Sequence, residues 1–447
     1  MSDWTSDRVA AVLGGLPVEP QRFSGIGTDS RTLEPGALFV ALAGERFDGH
    51  EFLAQAKERG ALGAVVRTGT GPVDGLATFE VDDTLAALGA LALARRREVQ
   101  GPVVAVTGTN GKTATKEMLA CVVGTKWRVH ATRGNLNNLI GVPLTILAAP
   151  DDTDALVIEV GASIPGEIER LRRVVEPTLG VVTNVSTGHV EGFGSLEGAL
   201  GEKVLLLADV PIAVVGTQPP ELAERARAVA VRAISAGAGP GADVRPDAWR
   251  LDGEGKPEIT FMGVPMRLPL IGRHQVENAM LALAVAVELG VDIAAAAEAL
   301  TGTALPPGRC QLLEHGDLVV MHDAYNSNPA SLGAALETAV ALRGGRRLVV
   351  VVGTMLELGS QSGALHELMA ERVMDAEPTL VAAVGAFVPA FERHRAALGD
   401  RLLTAADPAS LGKLLGPRLK GDEFVLMKAS RGVQLERAIP FLTPDGD

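Results

Sequence analysis

The chain has 447 residues, of which 47% are apolar and 21% are charged, and its formal net charge at pH 7 is −13. This length predicts several domains, because one hydrophobic core does not serve so long a chain, and the acidic balance argues against a nucleic-acid partner. No apolar run reaches the roughly 18 residues that cross a bilayer, and the N-terminal residues lack the pattern of a signal peptide, so we expect a cytoplasmic protein without membrane insertion.

The first predicted domain covers residues 1–82. Its strand patterns are Leu38–Leu42 and Gly63–Val66, and a helix pattern over Glu51–Arg59 separates them. Strands that alternate with a helix favour a small α/β domain.

A second predicted domain, residues 83–305, begins with a helix pattern over Leu85–Arg97 and contains a phosphate-binding motif. The apolar strand Val103–Val106 runs into Gly108-Thr109-Asn110-Gly111-Lys112-Thr113, and a helix pattern follows. Glycines let backbone N–H groups close around phosphate oxygens, the lysine adds a positive charge, and the threonine hydroxyl can bind Mg²⁺. The motif is shorter than the common G-x-x-x-x-G-K-[ST] loop, but its place between a strand and a helix predicts nucleotide binding.

Two further apolar runs, Ala155–Val160 and Gly180–Val185, are typical of strands buried on both faces, which favours a doubly wound parallel sheet. After the first of them, Ser163 is predicted to cap a helix that has Pro165 in its first turn. The residues of that helix expected to face the core are Ile168, Leu171 and Val175.

Three polar residues of this domain are candidates for chemistry. Glu159 is an acid inside an apolar strand, where a carboxylate needs a metal or a charged partner, and the acid on the strand beside a phosphate loop commonly holds Mg²⁺ or its water. A salt bridge at the strand end is the alternative. His189 lies in a loop, where a structural role is the alternative, and Lys203 lies on an apolar helix, where a solvated lysine is the alternative.

The turn Pro306-Pro307-Gly308 marks the start of a third predicted domain, residues 306–447, in which strands again alternate with helices. The two cysteines, Cys121 and Cys310, have no spacing that suits a metal or a disulfide framework, so we expect reduced thiols. The strand patterns of the third domain are Leu318–Met321, Leu348–Val352, Leu380–Val384 and Phe424–Met427.

Several short motifs follow one another along the middle of the chain: Thr107–Thr113, Asn135–Asn138, Glu159–Ser163, Thr183–His189, Glu191–Ser195, Gly272–Ala279 and Gly308-Arg309. Together they resemble the Mur ligases, ATP-dependent amide-bond ligases that build the cell-wall peptide. The resemblance implies three domains: a small N-terminal α/β domain that binds the uridine nucleotide, a central doubly wound domain with the phosphate loop, and a C-terminal Rossmann-like ligase domain.

Further motifs resemble one subgroup of this family, the ligases that add D-alanyl-D-alanine. The Asp-Asn-Pro-Arg motif of the diaminopimelate-adding relatives is absent. The resemblance implies that the enzyme joins D-alanyl-D-alanine to a UDP-N-acetylmuramoyl tripeptide through an acyl phosphate, as a monomer, in peptidoglycan precursor synthesis. The motifs in question are Thr28–Arg31, Pro35-Gly36, Phe47–His50, Asp323–Pro329, Met355–Gly359 with His366, and Lys428–Arg431.

The resemblance also implies roles for single residues. Lys112, Glu159, His189 and Lys203 would be catalytic, with one Mg²⁺ on Thr113 and Glu159 and a second on His189 and an N-carboxylated Lys203. ATP is expected at the joint between two domains, whose closure would complete the site. The expected nucleotide-binding residues are Gly108, Thr109, Asn110, Gly111, Lys112, Thr113, Asn278, Arg309, Asp323, Tyr325 and Asn326. The expected substrate-binding residues are Ser30, Arg31, Asp48, Gly49, His50, Asn135, Asn137, Asn138 and Ser163.

Two other classes of function stay open: a related carboxylate–amine ligase with another substrate, and a non-catalytic nucleotide-binding protein on the same fold. The sequence does not distinguish lysine from diaminopimelate as the third residue of the tripeptide. It departs from the usual family pattern mainly in the C-terminal domain, where the dipeptide is expected to bind. The departures are Gln275 for asparagine, Ser327 for alanine, Thr354 for aspartate, Gln361 for an acid and Ala429 for glycine.

Overall fold

Short buried strands alternate with helices along the whole chain, and the helices cover the faces of three main sheets. The computed structural model describes residues 4–15, 19–44, 47–186 and 190–442, with the backbone alone at 190 and 191. The predicted α/β class is confirmed. Within these ranges, no helix combines the length and the apolar character needed to cross a membrane.

The N-terminal domain has a parallel sheet of four strands in the order β3-β4-β7-β8. The strand predicted over Leu38–Leu42 is shorter, and the predicted helix over Glu51–Arg59 is a 3₁₀ turn, Gly49–Phe52, followed by an α-helix. The elements are β1 Trp4–Thr5, α1 Ser6–Leu13, β2 Arg22–Phe23, β3 Ile26–Gly27, β4 Leu38–Val40, β5 Ala43–Gly44, β6 Phe47–Asp48, α2 Leu53–Glu58, β7 Gly63–Arg67, β8 Ala77–Val81 and α3 Thr84–Arg96.

The central domain has an all-parallel sheet of six strands in the order β10-β11-β9-β12-β13-β14. This is the predicted doubly wound arrangement, and its strands β9, β11 and β12 are buried throughout and mostly apolar. The elements are β9 Val103–Thr107, α4 Lys112–Gly124, β10 Val129–Ala131, α5 Gly141–Leu147, β11 Ala155–Glu159, α6 Glu167–Val175, β12 Leu179–Val182, α7 Val190–Phe193, α8 Leu196–Val204, β13 Ile212–Val215, α9 Leu222–Val229, β14 Arg232–Ser235, β15 Ala248–Leu251, β16 Pro257–Phe261, β17 Val264–Arg267, α10 His274–Glu288 and α11 Ile293–Leu300.

The predicted cap of helix α6 is wrong. The helix begins at Glu167, after Gly166 in a left-handed conformation with φ 88°, so Pro165 precedes the first turn and does not lie in it. Ser163 accepts no helix N–H; instead its own N–H donates to Glu167 Oε2 at 2.8 Å. A glycine can turn the chain in this way without strain, and a carboxylate near the first turn satisfies the preceding N–H groups. The predicted apolar face is confirmed, because Ile168, Leu171 and Val175 are buried.

Strands β15, β16 and β17 form a separate antiparallel sheet that the sequence analysis did not predict. Alternate residues of β16 are buried, namely Pro257, Ile259 and Phe261, and the last two belong to the core of the central domain. This alternation over five residues is the signal of a half-buried strand, and it was available in the sequence.

The C-terminal domain has six strands in the order β18-β19-β23-β20-β21-β22, and only β18 runs antiparallel to its neighbour among the strands described here. The four predicted strands of this domain are present. The elements are β18 Gln311–His315, β19 Leu318–His322, α12 Pro329–Leu342, β20 Arg347–Val352, α13 Ser362–Asp375, β21 Leu380–Val384, α14 Phe387–Glu392, α15 Arg395–Leu398, β22 Leu402–Ala405, α16 Pro408–Leu415 and β23 Glu423–Lys428.

Helix α3 is shared by the N-terminal and central domains. It packs on α1 and β7 on one side and on α5 and α6 on the other. Its residues Leu88 and Leu91 belong to the N-terminal core, whereas Ala92 belongs to a core of the central domain. The boundary predicted between residues 82 and 83 therefore falls just before a helix that serves both cores.

Candidate functional site

A cavity of about 990 Å³ lies where the central and C-terminal domains meet. Segments that follow β9, β11 and β12 line it from one side, and the segments that precede β18 and follow β19 line it from the other. The carboxyl ends of parallel strands are where α/β folds bind ligands. The predicted site residues that the cavity brings together are Thr109, Asn110, Gly111, Lys112, Thr113, Asn135, Asn137, Asn138, Glu159, Ser163, Asn278, Arg309, Asp323, Tyr325 and Asn326.

Two glycines of the phosphate loop sit where no side chain fits. Gly108 has φ 147°, and a Cβ added there would lie 1.9 Å from Thr183 Oγ1. Gly111 has φ 81°, caps helix α4, and a Cβ there would lie 2.4 Å from Asn278 Oδ1. The loop thus leads directly into a helix N-terminus, whose first N–H groups have no partner inside the helix and suit an anion.

The segment after β12 holds this loop in place. Asn184 Oδ1 accepts from the Asn110 N–H at 3.1 Å, and Thr183 Oγ1 donates to the Asn110 carbonyl at 2.6 Å. Thr109 Oγ1 accepts from the Ser186 N–H at 3.0 Å. No single role is predicted from the sequence for Thr183, Asn184 and Ser186, although polar residues directly after a buried strand are a signal for one.

The side chain of Lys112 lies over the phosphate loop. Its Nζ donates to the carbonyls of Gly108 at 2.8 Å and Thr109 at 3.1 Å, and the residue is partly buried. Desolvation lowers its pKa, the Glu159 carboxylate opposes that shift, and Arg309 adds to it. The ammonium therefore stands beside the loop where a phosphate group would enter.

Glu159 is buried at the end of β11 and has one satisfied oxygen. Oε1 accepts from Asn137 Nδ2 at 2.9 Å, whereas Oε2 is buried without a hydrogen-bond partner in the described part of the chain. A buried carboxylate oxygen in this state is costly unless a cation neutralises it. Together with the buried Thr113 hydroxyl at the start of α4, after the neighbouring strand β9, it offers hard oxygen ligands that fit Mg²⁺.

Lys203 is 1% exposed, on α8, and does not line the cavity. Its Nζ lies 5.4 Å from the centre of the Phe193 ring. Burial, with a further contribution from the charge of Lys112, lowers the pKa of Lys203 to about 7. Its predicted metal-binding companion, His189, lies outside the described residues. Over those described, no three His, Cys, Asp or Glu side chains form a metal-binding group.

Asn278 is held between the phosphate loop and its own helix, α10. It is buried, its Oδ1 accepts from Thr115 Oγ1 at 3.3 Å, and its Nδ2 donates to Gln275 Oε1 at 3.0 Å. Gln275 Nε2 in turn lies 3.1 Å from His274 Nε2. Gln275, which stands where the family usually has asparagine, thus orients Asn278, and Asn278 faces Gly111.

Tyr325, the only tyrosine of the chain, lies at the cavity between two arginines. The guanidinium carbon of Arg309 is 4.0 Å from the ring centre, and that of Arg431 is 5.8 Å away. Arg309 Nε is buried and has no hydrogen-bond partner among the residues with described positions. A planar cation stacked on a half-exposed ring presents a surface suited to an anionic nucleotide.

Asp323 follows β19 and is tied to the neighbouring strand. Its Oδ2 lies 2.8 Å from Lys428 Nζ, and its Oδ1 accepts from the Cys310 N–H at 3.1 Å. Lys428 also donates to the carbonyls of Asp323 at 3.2 Å and Asn326 at 2.7 Å, and it is 2% exposed. The lysine therefore fixes the segment that carries Tyr325. In the sequence, Lys428 stands out only as part of the motif Lys428–Arg431, which predicts no individual role for it.

The N-terminal candidates do not line the cavity. Ser30 donates to Gln55 Oε1, and Arg31 pairs with Asp29, whose pKa the Arg31 hydrogen bonds lower to about 2. Asp48 Oδ1 accepts from the His50 N–H at 3.0 Å. Their role in substrate binding remains a prediction. The fifth of these candidates is Gly49. A Cβ added to this glycine would lie 2.7 Å from the carbonyl oxygen of Leu42, so no side chain fits there.

The candidate Asn138 and the departure Thr354 have local structural partners. Asn138 Oδ1 accepts from the N–H groups of Ile140 at 3.1 Å and Gly141 at 2.8 Å, at the start of α5. Thr354, which stands where the family usually has aspartate, accepts from the Ala386 N–H at 2.9 Å, just before α14. The threonine hydroxyl supplies the acceptor that a carboxylate would otherwise offer there.

Three family models match successive parts of the chain. Residues 22–96 match "Mur ligase family, catalytic domain", residues 106–286 match "Mur ligase middle domain", and residues 308–431 match "Mur ligase, glutamate ligase domain". The UDP-N-acetylmuramoyl-tripeptide--D-alanyl-D-alanine ligase of Bacillus subtilis is 34% identical over 97% of both chains. The Escherichia coli protein of the same name is 34% identical over 94% of both chains.

Solved structures give the same result. MurF from Acinetobacter baumannii is 29% identical, with a TM-score of 0.89 over 99% of both chains. MurF from Thermotoga maritima, in complex with ADP, is 29% identical, with a TM-score of 0.82 over 94% of this chain and 96% of that one. The order of the domains, the phosphate loop at their joint and these similarities agree, and the chain belongs to the Mur ligase family.

Proposed function

We propose that this enzyme is an ATP-dependent ligase that joins D-alanyl-D-alanine to UDP-N-acetylmuramoyl tripeptide, in the cytoplasm, during synthesis of the peptidoglycan precursor. The observation that supports it most is the cavity between the central and C-terminal domains, where a phosphate loop faces Arg309, Asp323 and Tyr325. Relatives that share about a third of the sequence over nearly the whole length carry this activity in their names.

The first step transfers the γ-phosphoryl group of ATP to the terminal carboxylate of the tripeptide. A carboxylate oxygen forms the new O–P bond, the bond to the β-phosphate oxygen breaks, and ADP leaves with that electron pair. The main barrier is repulsion between two anions, which Lys112, the helix N-terminus of α4 and Arg309 reduce by their positive charge.

Glu159 and Thr113 would hold one Mg²⁺, and His189 with a carbamate on Lys203 would hold a second. These ions would neutralise charge on the phosphate groups. The fit rests on the unpartnered Glu159 Oε2 and on the buried, weakly basic amine of Lys203. A neutral amine reacts with CO₂, whereas an ammonium does not, so the apolar surroundings favour the modification.

In the second step the amine of the dipeptide attacks the acyl carbon. The C–N bond forms, the C–O bond to phosphate breaks, phosphate leaves with the electron pair, and the nitrogen loses a proton. An acyl phosphate also reacts with water, so the site must exclude solvent while the amine binds. Residues of two domains line the cavity, and closure between them would provide that exclusion.

A phosphate-release assay with a matrix of UDP-linked peptides and amines tests the function. We expect release only with Mg²⁺, ATP, the UDP-muramoyl tripeptide and D-alanyl-D-alanine together, and the matrix also decides between lysine and diaminopimelate in the tripeptide. Robust ligation of a single amino acid to a shorter precursor, without the dipeptide, would instead support another carboxylate–amine ligase. Nucleotide binding without any ligation would support the non-catalytic alternative.

A further inference from the structure

A carboxylate at one end of the cavity has an unused oxygen. Glu277 lies in the first turn of α10, is half-buried and lines the cavity. Its Oε2 accepts from the Ala238 N–H at 2.9 Å, whereas its Oε1 has no hydrogen-bond partner among the residues with described positions. A carboxylate oxygen that faces a cavity can accept a hydrogen bond only, so it suits a ligand that donates an N–H group.

The backbone around this carboxylate holds it in place. A Cβ added to Gly237 would lie 2.6 Å from Glu277 Oε2 and 3.1 Å from Thr217 Cγ2, so no side chain fits there. Thr217 follows β13 and Gly237 follows β14. The side chains of Glu277 and Thr217 therefore meet where the carboxyl ends of these two strands reach the cavity.

This end of the cavity lies at the right distance from the phosphate loop for the base of a nucleotide. Two strands, β12 and β13, separate β9, which the phosphate loop follows, from β14. Three strand spacings amount to about 14 Å, which a nucleotide spans from its phosphates to its base. Helix α10 reaches both ends, because Asn278 faces Gly111 of the loop while Glu277 faces Ala238. Phosphates bound at the loop therefore direct the base toward Glu277.

The lining at this end suits a flat ring that carries an amino group. Ala236, Leu281 and Leu305 supply apolar surface for the faces of a ring. The cavity-lining acids Glu159 and Glu167 belong to segments after β11, on the other side of β9 from β14. Glu277 thus supplies the negative charge near the base.

We propose that Glu277 selects the base of the nucleotide. Its Oε1 accepts a hydrogen bond from the 6-amino group of adenine and repels bases that carry a carbonyl oxygen at that position. Such a carbonyl would place two acceptors opposite each other with no proton between them. The inference rests on the proposed function, since it takes the phosphate donor to be a purine nucleotide. Glu277 determines which nucleotide binds and takes no part in phosphoryl transfer.

The variant Glu277→Gln tests this role, because its amide oxygen can still accept from the Ala238 N–H while its amino group replaces Oε1. Isothermal titration compares ATP with inosine triphosphate (ITP), in which a carbonyl replaces the 6-amino group. Wild type should bind ATP at least about tenfold more tightly than ITP, as expected for a hydrogen bond to a charged group. In Glu277→Gln this ratio should fall to about threefold or less, because the amide can donate to the carbonyl of ITP.

The chain offers a matched control in Glu167, which also lines the cavity from the first turn of a helix. Its Oε2 likewise accepts from backbone N–H groups, those of Ser163 at 2.8 Å and Ile164 at 3.1 Å. Glu167→Gln removes the same charge from the cavity but should leave the ratio of ATP to ITP affinity unchanged. Purine riboside triphosphate, which has no group at position 6, should bind wild type more weakly than ATP. A thermal melt confirms that each variant is folded.

Four results would each overturn the proposal. Wild type could bind ATP and ITP equally, or bind purine riboside triphosphate as tightly as ATP. Glu277→Gln could keep the wild-type ratio, or Glu167→Gln could lose it to the same extent. Failure of the proposed function has a different signature. If the enzyme makes no product with D-alanyl-D-alanine, the proposed substrates are wrong, whereas the titrations contain neither peptide nor amine and still decide the role of Glu277. Absence of binding to any purine nucleotide would refute both.

Discussion

Asn328 Nδ2 donates a hydrogen bond of 2.7 Å to Asn110 Oδ1, and this bond joins the C-terminal domain to the phosphate loop. Asn328 is also the N-cap of α12, where its Oδ1 accepts from the Ser331 N–H at 2.9 Å. One side chain thus starts a helix in one domain and touches the nucleotide loop of another. Its two functions can be separated, because serine also caps helices but is too short to reach Asn110.

We expect Asn328→Ser to raise the KM for ATP about three- to tenfold, since one interdomain hydrogen bond contributes about 1 kcal/mol. The melting temperature should change little because the cap is retained. Asp407→Ser is the control, since Asp407 caps α16 in the same way, accepting from the Ser410 N–H at 3.0 Å, and does not line the cavity. Equal kinetics for the two variants would contradict a role of the Asn110–Asn328 bond.

Gly111→Ala should abolish ATP binding, because the added Cβ would meet Asn278 Oδ1 at 2.4 Å in a left-handed backbone. Gly124→Ala is the matched control at the other end of the same helix, where a Cβ meets nothing within 4 Å. Replacing a helical glycine by alanine stabilises by up to about 1 kcal/mol. Isothermal titration measures ATP binding by the two variants, and a thermal melt compares their stability. ATP binding by Gly111→Ala would show that the loop tolerates a side chain.

Lys203→Ala should lose most ligase activity while ATP binding through the phosphate loop survives, and short carboxylic acids should restore part of the rate. In wild type, ¹³CO₂ should give a carbamate signal that grows as the pH rises through about 7, the lowered pKa of Lys203, because only the neutral amine reacts. Near-normal turnover of Lys203→Ala, or no carbamate signal at pH 8, would exclude the modification.

Lys428→Met should destabilise the C-terminal domain by about 3–5 kcal/mol, because it leaves the Asp323 carboxylate unpaired at 15% exposure. The double variant Lys428→Met with Asp323→Asn should regain much of that stability, since it removes the buried charge as well. Denaturant unfolding of the two single variants and the double variant measures the coupling free energy. Additive effects would mean that the ion pair contributes nothing to the stability of this segment.

The sequence was sufficient to predict the most apolar strands of the main sheets and the phosphate loop because their signals are local. The buried runs of β9, β11 and β12 are continuous and apolar, and the loop lies between a strand and a helix. The start of α6 was predicted wrongly because Ser163 and Gly166 are both acceptable helix boundaries, and only tertiary packing decides between them. The role of Lys428 depends on which strand ends become neighbours, and this follows from the strand order, which no local pattern contains.

Helix α3 makes the N-terminal and central domains one cooperative unit. Its two faces complete two hydrophobic cores, so unfolding either domain would expose apolar surface of the other. A fragment that ends before Thr84 would lack Leu88 and Leu91 of its own core and should not fold alone. The turn Pro306–Gly308, in contrast, separates the central and C-terminal domains, which are joined by few elements. Limited proteolysis should therefore release the C-terminal domain first and leave residues up to about 305 as a single resistant fragment.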